Sequence, residues 1–168
     1  MIVNKPVVSR WILAFYVGTL VFLVGLAVFL VLLVLQHQVT PLTLALALTP
    51  AYVSVVFIFL IRSLLSTRYV LRRECLEVKV SRLVGGSKVI PLKDVLEVKR
   101  TLIPLGFRLF GASFHGGYYY VPGLGKAFLA ITNFKDGVLI RTKGLCYVIT
   151  PSKPDEFMSL LKGRVKHG

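Results

Sequence analysis

The chain has 168 residues, enough for one ordinary domain or for a small domain with an anchor. Its apolar fraction is 55% and its mean hydropathy +0.76, too apolar for a soluble domain of this size. The net charge of +14 suits an anionic partner, whether lipid headgroups, nucleic acid or an acidic protein, and two distant cysteines, Cys75 and Cys146, exclude a disulfide framework and a recognisable zinc site.

Charge divides the chain. Up to residue 68 the bases are Lys5, Arg10, Arg62 and Arg68, with no acid. All seven acids follow, together with 17 bases. A membrane part is therefore expected before this break and a water-facing domain after it.

Trp11 to Leu35 carries no charge, and as a helix it reaches roughly 37 Å, more than a hydrocarbon core of about 30 Å. Leu42 to Ile61 is a second uncharged, mostly apolar run, long enough to span. In lipid the backbone must satisfy its own hydrogen bonds, so both runs are expected as helices. Gln36, His37, Gln38 and Val39 form the connection, Thr40 suits an N-cap, and Pro41 suits the first turn. Pro50 is expected to kink the second helix. The first run is longer than a signal-peptide core and no A-x-A site follows it, so it is read as retained.

Lys5 and Arg10 precede the first run, and Arg62, Arg68, Arg72 and Arg73 follow the second, whereas the connection has no Lys or Arg. Bases stay on the cytoplasmic side, so both termini are expected there, in a cell membrane crossed twice. Trp11 and Tyr16 fit the inner interface. Gly18 with Gly25, and Ala47 with Ala51, are small residues at helical spacing and are read as packing the hairpin on itself, with homo-oligomerisation as the other use. Neither run holds an acid, a base or a buried polar cluster, which argues against transport by this chain alone.

After residue 68 the periodicity turns from helical to alternating. Strands are predicted over 68–73, 76–80, 88–91, 96–101, 126–132, 138–142 and 145–150, with Leu76, Val78 and Val80 on one face. Gly85-Gly86, Asp136-Gly137 and Lys143-Gly144 read as turns, and 92–95 as a single helical turn. Pro151 to Glu156 carries turn, cap and acidic first-turn signals. Phe157, Leu160 and Leu161 then form the stripe of a last helix, expected to stop at Gly163.

Tyr69-Val-Leu and Leu76-Glu-Val at the start, Val89 to Val98 in the middle and Val148 to Phe157 at the end resemble the prokaryotic pleckstrin-homology (PH)-like membrane proteins, over about residues 67–162. The resemblance implies an α+β membrane protein: two transmembrane helices (residues 1–66), then a cytoplasmic seven-stranded antiparallel barrel or sandwich with a C-terminal helix (67–168). It also implies a scaffold for binding lipids, peptides or proteins, with no assigned activity. Phosphoinositide-binding relatives use a long loop between the first two strands. Here that connection is only about Arg72 to Cys75, too short for a headgroup pocket. Arg62, Arg68, Arg72 and Arg73 are instead candidate contacts to an anionic membrane surface.

Between Thr101 and Lys126 the pattern breaks into glycines and aromatics, predicted as a long loop. Phe107, Arg108, Phe110, Phe114, Tyr118, Tyr119 and Tyr120 are its candidate partner-binding residues. Two readings stay open: a lip that binds a partner or dips into the membrane, and a loop packed over its own barrel with some short strand pairing. The three tyrosines would also suit base stacking, but no RNA-binding signature accompanies them.

Gly125-Lys126 fails as a phosphate loop, because Tyr120 and Ala127 stand where Gly and Ser or Thr are needed. His37, His115 and His167 cannot be assembled into a metal site. Asp94 and Glu97 read as surface acids and Asp136 as a turn residue. No catalytic, cofactor-binding or metal-binding residues are assigned, and no enzyme is expected. The expected function is a non-enzymatic membrane-anchored module that binds a protein or the anionic lipid surface. The alternatives are an accessory subunit of a membrane transporter or enzyme complex, and a membrane-tethered nucleic-acid binder, which has only charge in its favour.

Overall fold

A computed structural model describes residues 2–36, 40–82, 85–104, 106–110 and 116–165. The chain divides into two compact units, Arg10–Arg62 and Met1–Ser9 with Ser63–Gly168.

The first unit is built on α1 (Arg10–Gln36) and α2 (Pro41–Ser66), both long and apolar enough to cross a membrane by length and composition. The start of α2 follows its capping chemistry. The Thr43 N–H donates to the Thr40 hydroxyl at 3.2 Å, and the Thr40 N–H donates back to the Thr43 hydroxyl at 2.9 Å. Residues 37–39 of the connection lie outside the described residues. Tyr16 is buried, its ring edge-on to Phe57 at 5.8 Å, so it is a packing residue rather than an outward partner of the exposed Trp11. Gly18 and Gly25 are exposed, and a Cβ at either would meet nothing within 4 Å. They therefore do not pack the hairpin on itself, whereas Ala47 is buried.

The second unit holds ten strands among the described residues, in a four-stranded and a six-stranded sheet. The first sheet, in order, is β1 (Ile2–Asn4), β2 (Arg68–Leu71), β3 (Cys75–Lys79) and β4 (Lys88–Pro91), all antiparallel. A 3-10 turn at Leu92–Asp94 leads to β5 (Val95–Thr101). Next come β6 (Phe107–Phe110), β7 (Gly116–Val121), β8 (Gly125–Ala130), β9 (Gly137–Thr142) and β10 (Cys146–Ile149), and then α3 (Pro154–Val165). The six-stranded order is β5-β9-β10-β8-β7-β6.

This differs from the predicted seven antiparallel strands in three ways. Strands β1, β6 and β7 are additional. β10 lies parallel to β8, because the β9–β10 hairpin pairs with β5 through β9 and leaves β10 to meet β8. Asp136-Gly137 consequently links two strands that do not pair. Finally, β5 and β6 are the two ends of the six-stranded sheet, and the described strands do not close into a barrel. α3 also continues past Gly163 to Val165.

Two apolar cores flank the six-stranded sheet. Tyr69, Leu71, Leu76, Val78 and Ile90 of the first sheet meet Phe128, Val138, Ile140 and Ile149 and are closed by Phe157 and Leu161 of α3. On the other face Val121, Ala127, Leu129, Leu139, Cys146 and Val148 cluster with Ile103, Tyr119 and Leu124. Ile103 packs on this second core, and Gly106 lies close against β7. Glycine permits the close approach: a Cβ on Gly106 would stand 2.7 Å from the Tyr120 carbonyl oxygen.

Candidate functional site

The unit that carries the two sheets has two distinct ends, and the candidate residues divide between them. At one end the chain passes after Ser9 into α1 and returns along the last turns of α2 to Thr67. Several bonds tie these passages down. The Ser9 N–H donates to the Thr132 carbonyl at 2.8 Å, and the Thr132 hydroxyl donates to the Val7 carbonyl at 3.2 Å. Asn4 pairs with Tyr69 in the β1–β2 ladder, and its side-chain oxygen accepts the Ser152 N–H at 3.1 Å. The strand before α1 and the strand after α2 are thus neighbours in one sheet. The sequence signal for β1 was weak, since three residues carry no readable alternation.

At the other end lie the β2–β3 turn, the 3-10 turn and the C-terminus of α3. The β2–β3 connection is tight, closed by the Arg72 N–H on the Cys75 carbonyl at 2.9 Å. Of the four predicted membrane-surface arginines, Arg62 is exposed in α2 and Arg68 opens β2, also exposed. Arg72 and Arg73 stand at the far end of that strand. Arg72 is held by Glu77, Nε to Oε1 at 2.6 Å. Arg73 has no ion-pair partner among the described residues and lines a cleft of about 880 Å³ with Glu74, Leu92, Lys93 and Arg164. Arg164 is engaged as well, donating to the Leu71 and Arg72 carbonyls. Sequence reading missed Lys93 and Arg164 here, because only folding brings positions 73, 93 and 164 together. Acids at the start of α3 and bases in its last turn complement the helix dipole, which draws positive charge to this end.

Within the glycine-aromatic stretch, the described residues form β6 and β7, paired antiparallel. Tyr118 is half-buried in the first core, edge-on to Phe128 at 5.1 Å, with the Lys88 ammonium 5.1 Å from its ring centroid. Tyr119 packs on the second core, and its hydroxyl accepts Arg108 Nη2 at 2.9 Å while the guanidinium sits 5.5 Å from the ring centroid. These two tyrosines and Arg108 are structural elements of the sheet. Phe107 pairs with Tyr120, and both are exposed, as is Leu109 at a register shift on the open edge. Phe110 opposes Tyr118 in the ladder. Phe114 lies outside the described residues. Among the described strands β6 is an end of the six-stranded sheet, and Phe107, Leu109 and Tyr120 are exposed apolar side chains there.

Cys75 and Cys146 are both free, and no group of three or more metal-ligating side chains gathers among the described residues. Asp136 is drawn to Arg100, which donates to it at 2.8 Å and bridges to Asp155 at 3.3 Å.

A family model described as a bacterial PH domain matches residues 67–165. Neither the curated proteins nor the solved structures give a match to the chain.

Proposed function

Because the chain belongs to the bacterial PH domain family through residues 67–165, we propose that it is a non-enzymatic binding module tethered to a membrane by α1 and α2. One observation carries the reading. Strand β1 and the Ser9–Thr132 bond fasten the chain to the PH domain just before α1, and β2 receives it just after α2. If α1 and α2 both span, the domain and both termini share one side. The bases at 5, 10, 62 and 68 favour the cytoplasmic side.

Arg62 and Arg68 serve the anionic headgroup layer in this reading, with each base near the surface contributing on the order of 1 kcal/mol. Arg73, at the opposite end of β2, joins Lys93 and Arg164 around the cleft, where they suit an acidic segment of a partner. The exposed edge of β6, with Phe107, Leu109 and Tyr120, suits a protein strand.

Alkaline extraction of native membranes and a reporter fused at Gly168 test the anchoring. Retention in the pellet with a cytoplasmic reporter is expected, and an extracytoplasmic reporter would overturn the topology. Binding is tested by mild-detergent capture of the full-length protein, with mass spectrometry of proteins and retained lipids. A stoichiometric protein lost on Phe107→Ser/Leu109→Ser substitution supports the β6 edge. Recovery with anionic lipid alone leaves the membrane surface as the ligand.

A second reading, an accessory subunit of a larger membrane complex, has one observation in its favour. The exposed Gly18 and Gly25 face nothing within 4 Å and leave a smooth strip for another helix. Replacing both with Leu would then release a polytopic partner from the captured complex, and an unchanged complex would remove this reading.

A further inference from the structure

Two exposed apolar side chains stand at the end of the PH domain where the chain passes to and from the helices. Resting on the reading of α1 and α2 as membrane spans, we infer that Leu102 and Phe134 are set into the lipid interface. The Arg73–Lys93 cleft lies at the other end of the domain.

Register places the two residues. Thr101, the last residue of β5, pairs with Gly137, the first of β9. Leu102 follows the one and Phe134 shortly precedes the other, so both leave the sheet at the same end. Ala130, the last residue of β8, accepts the Tyr69 hydroxyl, and two residues on, Thr132 accepts the Ser9 N–H. Tyr69 itself lies two residues after Thr67. The entry to α1, the exit from α2 and the two apolar residues therefore share one end. The β2–β3 turn, the 3-10 turn and the β9–β10 turn share the other.

Local structure keeps both side chains outside the cores. Leu102 is 78% exposed, while its neighbour Ile103 packs inward on the second core. Phe134 is 59% exposed in a turn ordered by the Asn133 side-chain oxygen, which accepts the Lys135 and Asp136 N–H groups. Arg100 then holds Asp136 at 2.8 Å, so the turn is tied down and its aromatic residue remains in solvent. Lys135, next to Phe134 in the same turn, is an exposed base, and Arg68 at the start of β2 is exposed too. An apolar tip beside a base is the chemistry of an interfacial contact, with rings at headgroup depth and ammonium groups among phosphates. The lipid surface is the occupant because the chain enters α1 one residue after Ser9, at this same end.

Trp11 is the sole tryptophan and lies in α1, which supplies an internal control. The full-length protein is reconstituted in bilayers containing lipids brominated near the headgroup end of the acyl chains. Leu102→Trp, Phe134→Trp and Phe107→Trp are each made in a Trp11→Phe background, all at exposed positions that tolerate a larger ring. Emission from the first two is expected to be quenched and blue-shifted, and that from Phe107→Trp to be unaffected. Quenching of Trp11 in the unmodified protein without quenching of Leu102→Trp and Phe134→Trp overturns this inference and leaves the anchoring intact. Loss of Trp11 quenching overturns the anchoring, and the inference with it. Equal quenching of Phe107→Trp would mean that the domain lies on its side, which also overturns the inference.

Discussion

The Tyr69 hydroxyl donates to the Ala130 carbonyl oxygen at 2.7 Å and accepts the Thr150 N–H at 3.2 Å, joining the four-stranded sheet to two strands of the other. The ring is fully buried and meets Phe157 of α3 edge-on at 6.5 Å. One phenol thereby ties both sheets and the helix together, at the end of the domain where the chain leaves for α1.

Removing that hydroxyl has a defined cost. Tyr69→Phe leaves buried backbone groups short of a partner and should lower stability by about 1–3 kcal/mol near neutral pH. Burial also pushes the phenol up to about 12 from the ordinary 10.0. Because the unfolded chain ionises first, this contribution is complete below pH 10.0 and is lost as pH rises toward about 12. Thermal unfolding in detergent should show an alkaline decline in the parent protein that flattens in Tyr69→Phe. Equal slopes would show that Tyr69 is not the group responsible.

Strand β1 covers the outer edge of β2, in register from Ile2↔Leu71 to Asn4↔Tyr69. Deleting residues 2–4 should expose that edge and speed hydrogen exchange at residues 69–71, with little change in β9. Exposed edges also invite association, so the deleted protein should self-associate more readily. Unchanged exchange in β2 would mean that the N-terminal strand adds no protection.

Gly106 lies close against β7. A Cβ there would lie 2.7 Å from the Tyr120 carbonyl oxygen and 2.9 Å from Val121 Cγ2. Gly106→Ala must shift backbone and should cost about 1–3 kcal/mol. Gly144→Ala, at a position with nothing within 4 Å, is the control and should cost far less. Denaturant midpoints of the two variants make the comparison.

The two free cysteines differ in access. Cys146 is buried in the second core, while Cys75 is partly exposed on the wall of the basic cleft. A membrane-impermeant maleimide should label Cys75 in inside-out vesicles and spare Cys146 until the protein is unfolded. Labelling of Cys75 from the opposite face would reverse the proposed topology.

Much of this architecture was legible in the residues. Leu76, Val78 and Val80 alternate because one face of β3 is buried and the other is not, and all three are in the first core. Thr40-Pro41 marked the start of α2 through local capping chemistry. The 67–162 resemblance and the matched 67–165 rest on the same strand and turn segments. β7 was illegible for the converse reason. Tyr118 packs into one core and Tyr119 into the other, so a strand covered on both faces carries no polar alternation. Arg108 looked like a free base in a loop, yet its partner is a tyrosine across a hairpin that had not been recognised.

By itself the sequence determined what depends on neighbours along the chain: two long apolar helices, most strands, the capped turns, the charge break near residue 68 and the family. Tertiary structure alone decided what depends on distant partners. It paired β1 with β2 across the whole helical hairpin, laid β10 parallel to β8, left β5 and β6 as the two ends of the six-stranded sheet, and gathered Arg73, Lys93 and Arg164 around one cleft. The reason is physical. Periodicity and capping are set within a few residues, whereas strand order and charge clusters follow from which apolar faces can be buried together once the chain has folded back on itself.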